Sequence, residues 1–179
     1  MEEEVESGNI EELSRSMREA PTTGDMKCNV GVKWSKQKKL LGASWVLRNC
    51  RGETLLHSRR AFVKVDSYLD AKFLSLMWAI ESMRSRHVER VIFETDFANL
   101  VGAVLRQKDW SALRYQSSEL RKAVSVFQVW NFRVVPSQAN KCAQAIATSA
   151  TRERWLQSYV AKGNPRWLEE IFEADKVGM

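Results

Sequence analysis

The sequence lacks several features that would assign it to common functional classes. No apolar run approaches the ~20 residues of a transmembrane helix, and the acidic N-terminus has no apolar core, so neither a membrane span nor a secretory signal is expected. Three cysteines, odd in number and far apart, form neither a disulfide framework nor a metal-ligand pattern. His57 and His87 also lack ligand spacing and are expected on the surface. These absences favour an intracellular protein, in the nucleus or the cytoplasm.

Charge is unevenly distributed along the chain. The net charge of +6 results from 28 Lys and Arg against 22 Asp and Glu. Residues 1–25 contain eight of the acids and only two arginines, so the rest of the chain carries 26 basic and 14 acidic residues. A basic body favours a polyanionic partner, and the acidic segment can fold back on the same surface. The alternative is that the charge serves solubility alone.

The length of 179 residues indicates one domain with appendages. We interpret residues 1–25 as a disordered acidic tail because they are polar and charged. Residues 26–150 then form an α/β domain, and residues 151–179 a helical extension. The extension is expected to contain two short helices, at Trp155–Val160 and Trp167–Phe172.

Apolar periodicity within the domain predicts the element order β-β-β-α-β-α-α-β-α. A meander followed by strand–helix units implies a mixed five-stranded sheet with helices on both faces. The elements are expected, in order, at Lys27–Trp34, Leu41–Cys50, Thr54–Val65, a helix capped by Ser67, Val88–Thr95, Phe97–Leu105, Ala112–Phe127, Trp130–Val135 and Gln138–Ala150. The last helix is rich in alanine and can therefore pack close to the sheet.

The stretch from Val91 to Asp96 is the junction around which a site is predicted. A short apolar strand ends in a carboxylate and passes directly into a helix, and α/β sheets place ligand chemistry at the carboxyl ends of their strands. Asp96 can instead serve as the N-cap of that helix, where it would accept a hydrogen bond from the first free N–H groups. The residues alone leave both roles open.

Five short segments, taken in order, carry a family resemblance. They are Lys27-Cys28-Asn29-Val30, Trp45-Val46-Leu47-Arg48-Asn49 followed by Gly52, the stretch from Leu74 to Glu81, Ile92-Phe93-Glu94-Thr95-Asp96, and Val135-Pro136 with Ala139, Asn140 and Ala143. Together they resemble the plant reverse-transcriptase-like ribonuclease H domains, which descend from retroelements. The resemblance covers about residues 21–150 and implies the ribonuclease H fold. It also implies cleavage of the RNA strand of RNA–DNA hybrids by two magnesium or manganese ions held by converging carboxylates.

The resemblance implies four metal-binding acids, and three of the four positions hold other residues in this chain. The first-strand acid falls on Gly31, the first-helix acid on Lys72 and the last-helix acid on Gln144. Only the acid that closes the fourth strand is retained, as Asp96. A histidine that the family commonly has before the Val-Pro pair falls on Val134. The domain is therefore expected to be catalytically degenerate, with weak metal binding at Asp96 if any, and no cofactor is expected.

Lys72 lies on the apolar face of its helix, so its ammonium is expected to pair with Asp96 in the space that the metals would need. The alternative is that its side chain extends outward and pairs with nothing. Glu94 lies about 7 Å behind Asp96 on the same strand face, so a single metal held by these two acids stays open. Gain of cleavage after restoring acids at Gly31, Lys72 and Gln144 together would confirm the assignment of positions.

Loss of the metal site need not remove the surface that binds a duplex. Contacts from Lys and Arg to phosphates give affinity without reading sequence, and hybrid recognition would rest on groove shape and 2′-hydroxyls. The residues expected to bind nucleic acid are Lys36, Lys38, Lys39, Arg59, Arg60, Arg84 and Arg86. The predicted function is weak binding of RNA or RNA–DNA hybrid without cleavage. The alternatives are an active hybrid nuclease with a reduced metal site and a protein-interaction module.

Overall fold

A computed structural model describes residues 24–152 and 158–177, and these ranges contain six strands and five α-helices. The strands are β1 (Met26–Ser35), β2 (Leu40–Arg48), β3 (Thr54–Phe62), β4 (Arg90–Thr95), β5 (Val129–Val134) and β6 (Tyr159–Lys162). The helices are α1 (Tyr68–Ser85), α2 (Ala98–Leu105), α3 (Arg114–Val124), α4 (Lys141–Arg152) and α5 (Glu169–Val177). None of these helices is long and apolar enough to cross a bilayer. Almost all of the predicted acidic tail lies outside the described residues.

The strands form one mixed sheet in the order β5-β4-β1-β2-β3-β6. β1, β2 and β3 are antiparallel neighbours, whereas β4 runs parallel to both β1 and β5. The predicted mixed sheet with helices on both faces is confirmed, but the described residues contain six strands rather than five. The sixth strand, β6, falls partly within the predicted helix Trp155–Val160. Its four residues alternate between half-buried and exposed, which is typical of a strand but too short a pattern to recognise in the sequence.

One face of the sheet is covered by α1, which begins where the sequence predicts. Ser67 is its N-cap, and the Ser67 hydroxyl accepts a hydrogen bond of 3.0 Å from the backbone N–H of Asp70. Leu76 and Met83 on its apolar face are fully buried in the main core together with Phe93 of β4. This packing against β4 fixes where the first turns of α1 lie relative to the carboxyl end of β4.

The other face is covered by α4, which approaches the sheet closely because both surfaces consist of small residues. Ala143 and Ala147, one helical turn apart, lie over Gly31 of β1 and Gly42 of β2, where added Cβ atoms would collide with the helix carbonyl oxygens. The hydroxyl of Ser44 donates a hydrogen bond to the Ala143 carbonyl. The close packing predicted for the alanine-rich helix is confirmed.

The C-terminal residues complete this second face. Phe172 of α5 packs against Val46 of β2 and Ile146 of α4 in a second apolar cluster. Beside it the buried guanidinium of Arg48 pairs with Asp175 at 2.7 Å. The helix predicted at Trp167–Phe172 is therefore confirmed in substance, although it continues further than predicted.

β6 adds to the outer edge of β3 and buries a histidine that was expected on the surface. The Nδ1 of His57 donates a 2.6 Å hydrogen bond to the carbonyl of Gly163, and its ring meets the edge of the Tyr159 ring. Burial lowers the pKa of His57, the hydrogen bond to Gly163 opposes this effect, and the charge of Arg59 lowers the pKa further. The expected surface position of His57 is thus wrong, because the prediction did not include a strand on this edge.

Candidate functional site

The first-strand position of the implied metal site, Gly31, has no room for a side chain. A Cβ built there would lie 2.5 Å from the carbonyl carbon of Ala143 and 2.8 Å from the backbone nitrogen of Gln144. These obstacles are helix backbone, which cannot rotate away as the end of a flexible side chain can. The backbone of α4 therefore occupies the place of the carboxylate, which a comparison of side-chain types along the sequence could not reveal.

The last-helix position, Gln144, is bonded to the backbone of β1. Its Nε2 donates to the carbonyl of Val32 at 2.6 Å, and its Oε1 accepts from the N–H of Val32 at 3.4 Å. One turn earlier, Asn140 donates to the carbonyl of Val30 at 2.7 Å. Because β1 pairs with β4 only as far as Asn29, these amides satisfy backbone groups that have lost their neighbouring strand.

Glu94, the second acid that could have supported a metal, is held by other groups. It is 3% exposed, and its Oε1 lies 3.2 Å from the Nζ of Lys27, which is also buried. The same oxygen accepts from Asn29 at 3.4 Å, and Asn29 in turn donates to Asn140 at 3.3 Å. Removing a partner from such a buried pair leaves an uncompensated charge, so this carboxylate is not free to join Asp96 around a metal.

Asp96, the retained acid, is half-buried and does not cap α2. Phe97 occupies the N-cap position without any side-chain capping bond, and Asp96 contributes only its backbone carbonyl, which accepts from Ala98 at 3.0 Å. Its carboxylate instead accepts a 3.3 Å hydrogen bond from the hydroxyl of Ser137, shortly before α4. The capping role that the sequence left open is therefore wrong.

Lys72 does not form the expected ion pair with Asp96. Its Nζ lies 4.6 Å from the ring centroid of Tyr68, a cation–π contact, and none of the ion pairs in the described part of the chain includes Lys72. Burial raises the pKa of Tyr68, and the negative charge of Asp96 raises it further. Tyr68 is thus the residue that both charges approach, and its ring also stacks with that of Trp34 at 6.1 Å. The spacing of four residues between Tyr68 and Lys72 is the sequence signal for this contact.

The residues around Asp96 do not fit a two-metal centre. Such a centre needs several carboxylates that converge on one point. Within the described ranges, no group of three or more His, Cys, Asp or Glu side chains could hold a metal ion. Ser137 donates a hydrogen bond to Asp96, the negative charge of Asp96 acts on Tyr68, and no metal-dependent cleavage step follows from this geometry.

The seven basic residues expected to bind nucleic acid do not form one surface. Lys36, Lys38 and Lys39 are exposed in the turn between β1 and β2, where Lys39 pairs with Asp66 at 2.7 Å. The N–H of Val65 donates to the Lys39 carbonyl, and the Val65 carbonyl accepts a 3.0 Å hydrogen bond from the indole of Trp34, which links the turn to Tyr68. We call Lys36, Lys38, Lys39 and Lys72 the basic end of the domain.

The remaining four predicted residues lie elsewhere. Arg84 and Arg86 follow at the far end of α1, whose 18 residues span about 27 Å. Arg59 is buried, donates to the hydroxyl of Ser149 at 2.8 Å and lies over the ring of Tyr159, so its expected surface position is wrong. Strand side chains alternate, so the neighbouring Arg60 points to the opposite face, where it is exposed.

Comparison with known proteins agrees with this architecture. The sequence profile of the family described as "Reverse transcriptase-like" matches residues 29–150. No curated protein sequence matches the chain.

Among solved structures, several ribonucleases H are similar. The RNase H1 of Halobacterium salinarum is 16% identical with a TM-score of 0.60, and the match covers 72% of this chain and 98% of that one. LC11-RNase H1 in complex with an RNA/DNA hybrid is 13% identical with a TM-score of 0.62, covering 73% and 99%. LC9-RNase H1 is 14% identical with a TM-score of 0.64, covering 87% and 86%. At such identities, the likeness establishes a shared fold.

Proposed function

The chain belongs to the reverse transcriptase-like family, and from that premise we propose that it is a ribonuclease H-like domain that binds RNA or an RNA–DNA hybrid without cleaving it. The contact between Gly31 and the backbone of α4 is the main support for the loss of cleavage. A carboxylate cannot enter that space unless the helix moves away from the sheet. The commitment of Glu94 to Lys27 supports the same conclusion, because it leaves Asp96 as a single acid.

Binding is supported by the basic end of the domain. Lys36 and Lys38 are exposed there, and lysine ammonium groups bind phosphates without reading the base sequence. LC11-RNase H1, which has the same fold, has been solved with an RNA/DNA hybrid. The affinity is expected to be weak and to fall with salt, because few phosphate contacts are available and no metal bridges protein and substrate.

This function can be tested with a fluorescently labelled RNA–DNA hybrid, by measuring both its retention and its cutting by the full chain. We expect retention at low salt in magnesium, in manganese and in a chelator, with no cleavage in any of them. The variant Lys36→Gln/Lys38→Gln should weaken retention, whereas Arg84→Gln/Lys162→Gln removes the same charge elsewhere and should change it less.

Two results would overturn this function. Cleavage in magnesium or manganese that disappears with Asp96→Asn would establish the nuclease alternative. Absence of retention at low salt would favour the protein-interaction alternative. In that case the surface to study is the groove of about 550 Å³ between α4 and α5, where Trp167 is half-exposed.

A further inference from the structure

The ammonium of Lys72 is positioned by an aromatic ring rather than by a carboxylate. Its Nζ lies 4.6 Å from the Tyr68 ring centroid, one helical turn earlier, and Tyr68 stacks on Trp34. The indole of Trp34 is in turn fixed by its 3.0 Å hydrogen bond to the carbonyl of Val65. Trp34 is therefore fixed to the chain and supports the ring of Tyr68, which restricts where the ammonium can go.

A cation–π contact leaves the charge and the hydrogen-bonding capacity of the ammonium available. Lysine carries three N–H donors and no acceptor, and an aromatic face does not neutralise its charge as a carboxylate would. Lys72 is half-buried, and within the described ranges it forms no ion pair. A phosphate oxygen is the kind of acceptor that can form a charge-assisted hydrogen bond with this group.

We propose that Lys72, held over Tyr68, binds a phosphodiester group of the nucleic acid and is the cationic group of this site in place of metal ions. This inference rests on the proposed function and specifies how the phosphate backbone is held at the former cleavage site. Lys36 and Lys38 lie at the same end of the domain, so the backbone can continue from Lys72 toward the turn between β1 and β2. Binding at this site is independent of divalent metal.

Neutralising Asp96 should strengthen phosphate binding at this site, whereas it would weaken binding at a metal centre. Burial and the charge of Asp96 both raise the pKa of Tyr68, and the ammonium of Lys72 lies 4.6 Å from the centroid of the same ring, so we expect the carboxylate to repel a phosphate held at Lys72. Asp96→Asn keeps a side-chain oxygen that can accept from Ser137 but removes the negative charge. In a nuclease the same substitution would remove a metal ligand and weaken metal-dependent binding.

The test is a salt titration of hybrid binding, by fluorescence anisotropy of the full chain in the presence of a chelator. We expect Lys72→Gln to weaken binding and to reduce the slope of log K against log salt by about 0.9, the value for one phosphate contact. Lys72→Arg should keep the slope of the wild type because the charge is retained. Lys162→Gln, on β6 and away from the site, should also keep it. Thermal unfolding of each variant establishes that the fold is intact.

Asp96→Asn supplies the second arm of the test. We expect its affinity for the hybrid to rise about two-fold at low salt, because one like charge close to the bound phosphate is removed. A wild-type slope in Lys72→Gln would overturn the role of Lys72 while leaving hybrid binding established. Binding that disappears in the chelator would overturn the inference in favour of a metal. Failure of the wild type to bind at all would overturn the proposed function itself.

Discussion

Helix α4 meets the sheet in two places whose chemistry differs. Its first turns lie on β1, where the helix backbone touches Gly31, and the amides of Gln144 and of Asn140, directly before the helix, bond to the strand. Its middle lies between β2 and α5, where Ile146 and Phe172 form an apolar cluster. The first contact is close and polar, whereas the second adds larger apolar side chains beside the close approach of Ala147 to Gly42.

The difference bears on the proposed absence of cleavage. At β1 the positions that the resemblance assigns to carboxylates are occupied by main-chain contact at Gly31 and by the neutral amide of Gln144, so the proposed difference from an active nuclease involves the backbone and not only the side chains. At β2 and β3 the C-terminal residues contribute new apolar burial and the buried pair of Arg48 and Asp175. Adding side-chain volume in the first region should therefore lower the stability of the fold, and removing side-chain volume in the second region should do the same.

The largest effect is expected when volume and charge are added at the β1 contact. Gly31→Asp should lower the free energy of unfolding by about 4 kcal/mol or more, because a carboxylate would be forced against the backbone of Ala143. Lys33→Asp places the same side chain two residues along the strand at an exposed position and should cost about 0.5 kcal/mol. Urea denaturation of both variants measures the difference. Wild-type stability in Gly31→Asp would contradict the close contact between α4 and β1.

The triple exchange Gly31→Asp, Lys72→Glu and Gln144→Asp is consequently not expected to restore cleavage. The experiment follows from the family resemblance, which assumes that this chain differs from an active nuclease only in the side chains at these positions.

Removing volume at the second contact should have the next largest effect. Phe172→Ala should lower the free energy of unfolding by about 3 kcal/mol, because Phe172 is 2% exposed and fills the space between Val46 and Ile146. Trp167→Ala, at a side chain that is 53% exposed, should cost about 1 kcal/mol or less. Thermal and urea unfolding distinguish the two variants. Equal effects would mean that α5 is not docked through Phe172.

A smaller effect is expected from the amide of Gln144. Gln144→Leu should lower the free energy of unfolding by about 1–2 kcal/mol, because the backbone groups of Val32 lose their partner. Gln138→Leu changes the same side chain at an exposed position and should be close to neutral. Amide hydrogen exchange at Val32 gives a local readout. Unchanged protection there in Gln144→Leu would show that the side-chain bond is not needed.

The smallest effect concerns pH and the attachment of β6. Because the pKa of His57 is lowered below its ordinary value of 6.5, the unfolded chain takes up a proton more readily than the folded one. The contribution of His57 to stability is therefore complete above pH 6.5 and decreases as the pH falls toward the folded-state pKa. Hydrogen exchange of the amides in Tyr159–Lys162 should become faster from pH 7.5 to 5, after correction for intrinsic rates. His57→Gln should remove this dependence, and a dependence that persists would assign it to another group.

The element order and the packing of α4 could be predicted because they depend on local signals. Ser67 is a cap directly before a periodic apolar segment, and alternating small residues in the last helix indicate close approach to a sheet. These signals do not depend on the rest of the fold. The resemblance then assigned the implied site to positions that can be compared with the structure, and that assignment stays a prediction.

The parts that could not be predicted depend on where elements end and meet. The role of Gln144 follows from β4 leaving β1 after Asn29, which no single position reveals. The Lys72 ammonium can approach either the Tyr68 ring or the Asp96 carboxylate. Which of these two contacts forms depends on the orientation of α1, which the sequence does not give. The burial of Arg59 could have been anticipated. Arg59 and Arg60 are consecutive strand residues, so their side chains point to opposite faces of the sheet and one of them was expected to face a helix.

The short strand β6 has a consequence for how the polypeptide can be divided. It covers the edge of β3 between Leu56 and Arg59, whose free backbone groups would otherwise recruit a strand from another molecule. A fragment that stops at Ala150, where the family resemblance ends, would also leave Val46 and Ile146 uncovered. We expect such a fragment to self-associate in solution, because the residues after Ala150 cover the edge of β3 and the apolar surface of Val46 and Ile146.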